Sequence, residues 1–431
     1  MQYRHRCAAI RLAACATFLI LLTGVAQAAA QFADPVADIT RVVELMDRRL
    51  DLMPEVVTAK WLASQPIVDT AREKVVLDRS VATASSLGLD ERAVRRLFEL
   101  QIAMAREVEE RQLKKLRGPE HANLTKPRDL RTQLRPELDR ISRNLVVAVY
   151  LAADELAQPG NVSLLGTRLM RLQRYDIDTA HIAQLKEALT RIRRVRPLTL
   201  SEIKHAGVLR VGTTGDYAPF SIEKDRELAG FDVDLVSDFA QHLGVRLRFV
   251  RTSWPTLMDD LRSQRFDLAA SGISVTPERS SDADFSTAYV ADGKMAVALC
   301  TDAHRFASLE AIDQPSVRVV VNPGGTNEQF VREHLKQAII KVHRDNRTIF
   351  EELLAGRADV MITDGIEVAS QTRRNPKLCC TTSQPFTKTR KAIMVPKGSN
   401  LIPAIDAWLA PQIEDGSLAG NLQRAIAATQ K

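Results

Sequence analysis

The chain has 431 residues, 45% of them apolar and 5% aromatic, with 60 Lys+Arg against 53 Asp+Glu. That length fits roughly two to three domains and that apolar fraction supplies real cores, which excludes a disordered, collagen-like or low-complexity chain. The net charge of +7 is modest, its excess lies ahead of residue 200, and aromatics are too sparse for a nucleic-acid stripe, so the positive charge is read as serving small anionic ligands rather than nucleic acid.

Arg4, Arg6 and Arg11 precede an apolar run from Leu12 to Val25, followed by Ala26-Gln27-Ala28 and then Ala29 and Ala30. A positive start, an apolar middle and small residues at a cut are the layout of a secretory signal peptide, here over 1–30. The run is short for a bilayer span. Cleavage after Ala28 or at Ala30 is expected, giving an exported, periplasmic protein with no stable membrane association. Cys7 and Cys15 leave with this segment, and Cys300, Cys379 and Cys380 remain. An oxidising compartment favours one disulfide with one thiol left over, and spacing does not choose the partner of Cys300. No second Cys/His pair stands at ligand spacing, so neither a metal nor another cofactor is expected.

From 34 to 195 the rhythm is helical. Ile39, Val42, Val43, Met46, Leu50 and Met53 recur at three and four with charged residues between. Gly118, Pro119, Asn123 and Pro127 mark a loop within 117–128. Arg49 and Lys60 are eleven apart, about three turns, so they share a face of a helix that Pro54 is expected to kink. Asp69, Arg72 and Glu73 stand at i, i+3, i+4, and Gln101, Ala105 and Glu109 at i, i+4, i+8. Arg135 lies beyond the loop. Singly, each is an ordinary solvated charge; jointly, a bundle can aim these rows at one interior point as a cationic box. The basic, proline-containing stretch 193–202 reads as a linker.

The run Arg49, Lys60, Asp69, Arg72, Glu73, with Lys60-Trp61 through Gln65-Pro66-Ile67, resembles the all-helical chorismate mutases, and their secreted class in particular. The resemblance extends over about residues 34–190 and implies a mutase domain at 31–192 that converts chorismate to prephenate. It implies that Arg49, Arg72 and Arg135 hold the two carboxylates, that Lys60 and Glu109 flank the ether oxygen, and that Glu73 takes the ring hydroxyl, with Asp69 and Gln101 in the binding set. The rearrangement needs no nucleophile and no proton transfer. Negative charge builds on the ether oxygen as the bond breaks, so fixed cations there favour the transition state over the ground state. Arginine clamps hold the dicarboxylate compact. Glu109 helps only when protonated, so burial is expected to raise its pKa. Ala105 stands where relatives often carry a small hydroxyl residue, and Val76 where some carry a polar one.

From Val208 short apolar runs alternate with helical stretches, the rhythm of an α/β domain with a mainly parallel sheet. Asp216-Tyr217 and Trp254 follow strand ends, and Tyr217 and Trp254 are read as pocket wall. The stretches 208–220, 230–235 and 266–279, the last ending Thr276-Pro277-Glu278-Arg279, resemble the periplasmic amino-acid-binding proteins. That implies two lobes joined by a hinge: lobe one at 203–291 and 389–431, lobe two at 292–388. It implies that Arg279 grips a ligand carboxylate, assisted by Thr276 and the backbone near Ser274.

Asp292-Gly293-Lys294, Pro323-Gly324-Gly325-Thr326-Asn327-Glu328 and Met361-Ile362-Thr363-Asp364-Gly365-Ile366-Glu367 narrow this to a resemblance to the periplasmic cyclohexadienyl dehydratases, which act on prephenate. That resemblance implies that Glu367 protonates the departing hydroxyl and that Lys294, Thr326 and Asn327 contact the substrate. It implies that Cys300 pairs with Cys379, because cysteines stand at the equivalent places. Dehydration with decarboxylation yields phenylpyruvate and is driven by aromatisation. It needs a carboxylic acid still protonated near neutral pH, hence burial or a nearby like charge, which Asp364 supplies. Arogenate is a second substrate that the sequence does not rank. One half would make prephenate and the other consume it; the sequence leaves room for a homo-oligomer. The rival reading is a mutase fused to a non-catalytic solute-binding module, which retains Arg279 but has no need of an acid at Glu367.

Overall fold

Residues 30–118 and 126–428 are described by the structure, a computed structural model. The signal-peptide expectation, Ala30 apart, lies outside the described residues, as do Cys7, Cys15 and the middle of the 117–128 loop. Helix α1 (Pro35–Asp51) starts at Asp34, whose carboxylate accepts from Val36 N, with proline in the first turn. Its stripe of Ile39, Val42, Met46 and Leu50 is fully buried. The expected kink at Pro54 is instead a break. Helix α1 stops at Asp51 and α2 (Met53–Leu62) begins with Pro54 in its first turn, where the missing N–H costs nothing. Asp69 caps α3 (Thr70–Ser86) by accepting from Arg72 N, and Asp90 caps α4 (Glu91–Arg117). A π-helical turn, Leu130–Leu134, feeds α5 (Arg135–Ala157). Helices α6 (Val162–Leu169) and α7 (Thr179–Thr190) close the bundle. Helix α5 packs along α1 and α3, while α4 packs on α2, α3 and α7.

After α8 (Leu200–Ala206) the chain builds two five-stranded sheets. In the first lobe, Val208–Thr213 pairs in parallel with Arg246–Arg251 and Leu268–Ala269, and the late strand Met394–Pro396 joins antiparallel beside Ala283–Phe285. In the second lobe, Ile339–Val342, Arg318–Val321 and Val360–Asp364 run parallel, and Lys294–Leu299 lies antiparallel between Val360–Asp364 and Leu378–Cys380. The chain passes between lobes through two antiparallel strands, Val290–Asp292 and Thr389–Lys391. Cys300 and Cys379 form a disulfide, and the Cys380 thiol is free and exposed. Among the described residues no helix is long and apolar enough to cross a membrane.

The 193–202 stretch is not a free tether. The buried Arg194 guanidinium donates to the Tyr150 carbonyl of α5 (2.6 Å) and to the Gln264 carbonyl of the first lobe (2.9 Å), and it pairs with Asp154. Arg210, ion-paired with Asp267 at 2.6 Å, sits 4.6 Å from the centroid of the Tyr150 ring. Ahead of α1, Phe32 bridges to Phe249, Ala33 N donates to the Phe249 carbonyl (2.9 Å), and Arg251 lies over the Phe32 ring. Arg248 pairs with Asp38 of α1. The bundle is therefore clamped to the first lobe by buried arginines that satisfy backbone carbonyls. Arg194→Ala removes a donor from each of two backbone carbonyls and the close partner of Asp154. It should cost about 2–3 kcal/mol and lower the thermal midpoint by several degrees, read by calorimetry; an unchanged midpoint would remove Arg194 from the clamp.

Candidate active sites

The first pocket lies inside the helical bundle. Helix α1 contributes Arg49, α2 Lys60, the start of α3 Asp69, Arg72 and Glu73, α4 Glu109, and the start of α5 Arg135; all seven line one cavity. Arg49 is buried, and its Nη1 donates to the Gln101 carbonyl at 3.1 Å while its Nε has no partner. Burial draws its pKa down to about 10, opposed by Glu109. The Lys60 ammonium donates to the Ile67 carbonyl and stands 3.4 Å from Glu109 Oε1. Burial raises the Glu109 pKa although Lys60 pulls the other way, so this carboxyl is biased toward its neutral form. Arg72 pairs with Asp139 of α5, and Arg135 donates to Asp69 at 2.9 Å.

Gln101 is a correction. Its side chain does not line the pocket; it serves through its carbonyl, which fixes Arg49. Two polar residues not anticipated from the sequence do line it. Arg106 grips Glu73 through two nitrogens, Nε at 2.8 Å from Oε1. Ser142 has a buried hydroxyl without a partner. The i, i+3, i+7 row Arg135, Leu138, Ser142 was the available signal for Ser142. Val76 and Ala105 give the wall apolar surface. Five cations on five helices line this partly apolar cavity, an arrangement suited to a compact dianion.

The second pocket lies where the two lobes meet, lined by Tyr217, Trp254, Arg279, Thr326, Asn327 and Asp364 among others. Tyr217 and Trp254 meet edge to face with ring centroids 5.4 Å apart. Gly324 has φ +75°, and a Cβ there would lie 2.6 Å from Pro255 Cα, so only glycine lets this second-lobe loop approach Trp254-Pro255. Arg279 is buried in the short helix Pro277–Asp282, and its Nη1 donates to the Ser274 carbonyl at 2.9 Å. Thr276 does not line the pocket. Its hydroxyl caps that helix by accepting from Arg279 N at 3.3 Å, so it positions the arginine.

Asp364 ends the strand Val360–Asp364 and is the centre of a buried cluster. Its Oδ1 is 2.7 Å from Lys294 Nζ, and its Oδ2 accepts from Lys391 and from the Tyr217 hydroxyl. Burial alone would push this carboxyl up, but Lys294 and Lys391 outweigh it and hold Asp364 well below the usual carboxylate range. Lys294 also reaches Thr326 Oγ1 (2.8 Å) and Asn327 Oδ1. Asn327 Nδ2 donates to Thr363 Oγ1 at 2.9 Å, and the Thr363 hydroxyl meets Glu367. Glu367 sits in the first turn of the helix Gly365–Arg374 and is 2% exposed. Burial pushes its pKa up to about 8, with Asp364 and Asp216 reinforcing that against the Thr363 hydrogen bond. Glu367 does not itself line the pocket; Thr363 stands between it and Asn327. Lys391, fully buried on a strand that joins the lobes, was missed. Its one sequence signal was a lysine opening the apolar run 392–395.

Residues 209–428 match the family model of the bacterial extracellular solute-binding proteins, family 3, and residues 40–110 match that of chorismate mutase type II. The cyclohexadienyl dehydratase of Pseudomonas aeruginosa is 47% identical over 226 residues, covering 52% of this chain and 84% of that protein. The L-cystine-binding protein of Escherichia coli (strain K12) is 28% identical over 221 residues, covering 51% of this chain and 82% of that protein. Among solved structures, an amino acid ABC transporter substrate-binding protein from Streptococcus pneumoniae bound to L-arginine is 26% identical with a TM-score of 0.51, covering 54% of this chain and 99% of that one.

The protonation of Glu367 is directly measurable. A protonated-carboxyl infrared band that Glu367→Gln removes should be present at pH 7 and fade as pH rises through about 8; a band already absent at pH 6 would contradict it.

Proposed function

Because the chain belongs to the bacterial extracellular solute-binding proteins, family 3, and carries a chorismate mutase type II domain ahead of that region, we infer that it is a bifunctional exported enzyme. It converts chorismate to prephenate in its helical half and prephenate to phenylpyruvate in its α/β half. The division is 31–192 for the mutase, 193–202 for the connection and 203–431 for the dehydratase, lobe two of which spans 292–388. A family of extracellular proteins supports export, and the signal-like stretch 1–30 supports a periplasmic location.

In the first step Arg49, Arg72 and Arg135 hold the two carboxylates of chorismate. Lys60 and, when protonated, Glu109 donate to the ether oxygen as its bond breaks, and Glu73, steadied by Arg106, takes the ring hydroxyl. These groups are in place before the reaction, so they stabilise the developing charge without reorganising. In the second step Arg279 binds a carboxylate while Lys294, Thr326 and Asn327 orient the ring. Glu367 gives its proton to the ring hydroxyl, which leaves as water. The ring carboxylate leaves as carbon dioxide, and the electron pair of its bond to the ring completes the aromatic sextet. Glu367 regains its proton from solvent.

The observation that carries this reading is a buried glutamic acid held neutral one helical turn from an ionised Asp364, in a chain half 47% identical to a cyclohexadienyl dehydratase. The L-cystine-binding relative favours a plain binding module as the second reading. Mixing the protein with chorismate and following chorismate loss and phenylpyruvate formation separately decides between them: accumulation of prephenate means binding without dehydration. Glu367→Gln should lower dehydration by about 10²–10⁴-fold and leave the mutase rate intact. Lys60→Ala should lower the mutase rate by about 10²–10³-fold and leave dehydration of added prephenate intact. Since the protonated form of Glu367 is the active one, dehydratase kcat/KM should fall as pH rises through about 8; a rate that rises there would sink the acid role.

A further inference from the structure

A polar atom buried in a cavity wall without a partner marks a contact that a ligand can complete. Among the described residues, two such atoms line the cavity of the helical bundle, Arg49 Nε and Ser142 Oγ. Both residues are 6% exposed. A serine or threonine within a helix ordinarily returns its hydroxyl to the carbonyl four residues back. Thr58 does so to Pro54 at 2.8 Å and Ser237 to Val233 at 2.6 Å. Ser142 makes no such bond to Leu138, and no other described group takes its place. A buried hydroxyl in this state costs free energy on folding, and a partner that arrives with the substrate recovers it.

The packing of α1 on α5 aims the two atoms at each other. Arg48, near the end of α1, pairs with Glu137, near the start of α5, at 2.9 Å. Asp38, near the start of α1, lines one surface with Leu151 and Asp154, near the end of α5. The two helices therefore run antiparallel. Side chains on a helix lean toward its N-terminus, so Arg49 leans along α5 toward Ser142, and Ser142 leans back toward Arg49. Ser142 lies five residues, about 7 Å of helix rise, beyond Glu137, within the reach of an arginine side chain. The Gln101 carbonyl takes Nη1 of Arg49 at 3.1 Å and leaves Nε. Helices α3 and α4 present Val76, Ile102 and Ala105 to the same cavity, none of which hydrogen-bonds through its side chain.

We propose that Ser142 is a substrate-binding residue of the mutase half, its hydroxyl donating to the carboxylate of chorismate that Arg49 holds. The proposal rests on the mutase reading above. Arg49 brings charge and Ser142 one directed donor, and a carboxylate, with two oxygens that accept on several sides, takes both. That carboxylate is ionised in the substrate and stays ionised at the transition state. The contact therefore serves both alike and shows in KM rather than in kcat. Lys60 and Glu109, which meet the oxygen where charge develops, act on kcat instead.

The test is Ser142→Ala in the full chain, assayed on chorismate. KM should rise about 10–100-fold, the worth of one hydrogen bond to a charged group, with kcat changed less than about threefold. Because the hydroxyl has no partner in the free protein, its removal should leave the thermal midpoint unchanged or raise it, and dehydration of added prephenate should keep its rate. Ser142→Thr and Ser142→Val share one shape; the threonine, which keeps the hydroxyl, should give the lower KM. An unchanged KM in Ser142→Ala overturns the proposal and leaves the mutase reading standing. A loss confined to kcat overturns the assignment to a carboxylate. A rise in KM with a lower thermal midpoint or slower dehydration makes Ser142 a structural residue and overturns the proposal as well. Wild-type protein that leaves chorismate untouched overturns the reading on which the proposal rests.

Discussion

The α/β half depends on one buried carboxylate shared by two lysines. Isolated in a protein interior, Asp364 would be neutral, and each lysine would be driven to shed its proton. Together they keep Asp364 ionised, and Tyr217 adds a fourth group from the opposite lobe. The cluster has two consequences. It links both lobes and a connecting strand at a single point, so the site is complete only where the lobes meet. It also sets a fixed negative charge beside Glu367, which reinforces the burial that keeps that carboxyl protonated. The protonation of Glu367 thus comes from its surroundings, burial first and the neighbouring charge second.

The helical half solves a different problem with similar parts. Its chemistry moves no proton, so its cations need only be fixed, desolvated and correctly aimed. Arg49 is held by a backbone carbonyl, Lys60 by a carbonyl and Glu109, Arg72 and Arg135 by aspartates. Each partner satisfies only part of its cation's donor capacity, which leaves donors for the two carboxylates of a substrate. The same use of arginine recurs at the junction of the halves. Arg194 and Arg210 are buried against Tyr150 and backbone carbonyls and clamp the bundle to the first lobe. The two sites are therefore carried on joined frameworks, with the second lobe attached through its connecting strands, the groups of the cleft and the packing of its helix Gly365–Arg374 on the C-terminal helix Ser417–Ala428.

How much was legible follows from how local each signal is. Asp69, Arg72 and Glu73 could be grouped because helical periodicity fixes which residues share a face within a few turns, whereas Arg49 and Lys60, expected on one helix, stand on two and were joined to the set with Glu109 by the family resemblance. The family resemblances then placed Arg135, Lys294, Asn327 and Glu367. What escaped was set by contacts between distant segments. Lys391 returns to the site from 97 residues beyond Lys294 in the chain, and nothing around it signals that it will meet Asp364. Arg106 was one of several arginines on α4 until Glu73 was seen opposite it. Gln101 and Thr276 were assigned to the ligand through the family resemblances, whereas the Gln101 carbonyl accepts from Arg49 and the Thr276 hydroxyl caps the helix of Arg279. Pro54 shows the same boundary: a proline disturbs a helix predictably, but whether as kink or break depends on what packs around it.

The sequence by itself determined the two fold classes, the chemistry each half is equipped for and most of the charged residues that serve it, because period, spacing and motif are properties of neighbours in the chain. Only the tertiary structure decided which of those charges are buried, which are already paired and which reach the cleft. Those outcomes depend on desolvation and on partners brought together from remote segments, and the free energy of a charge in a protein is set by its surroundings rather than by its place in the sequence.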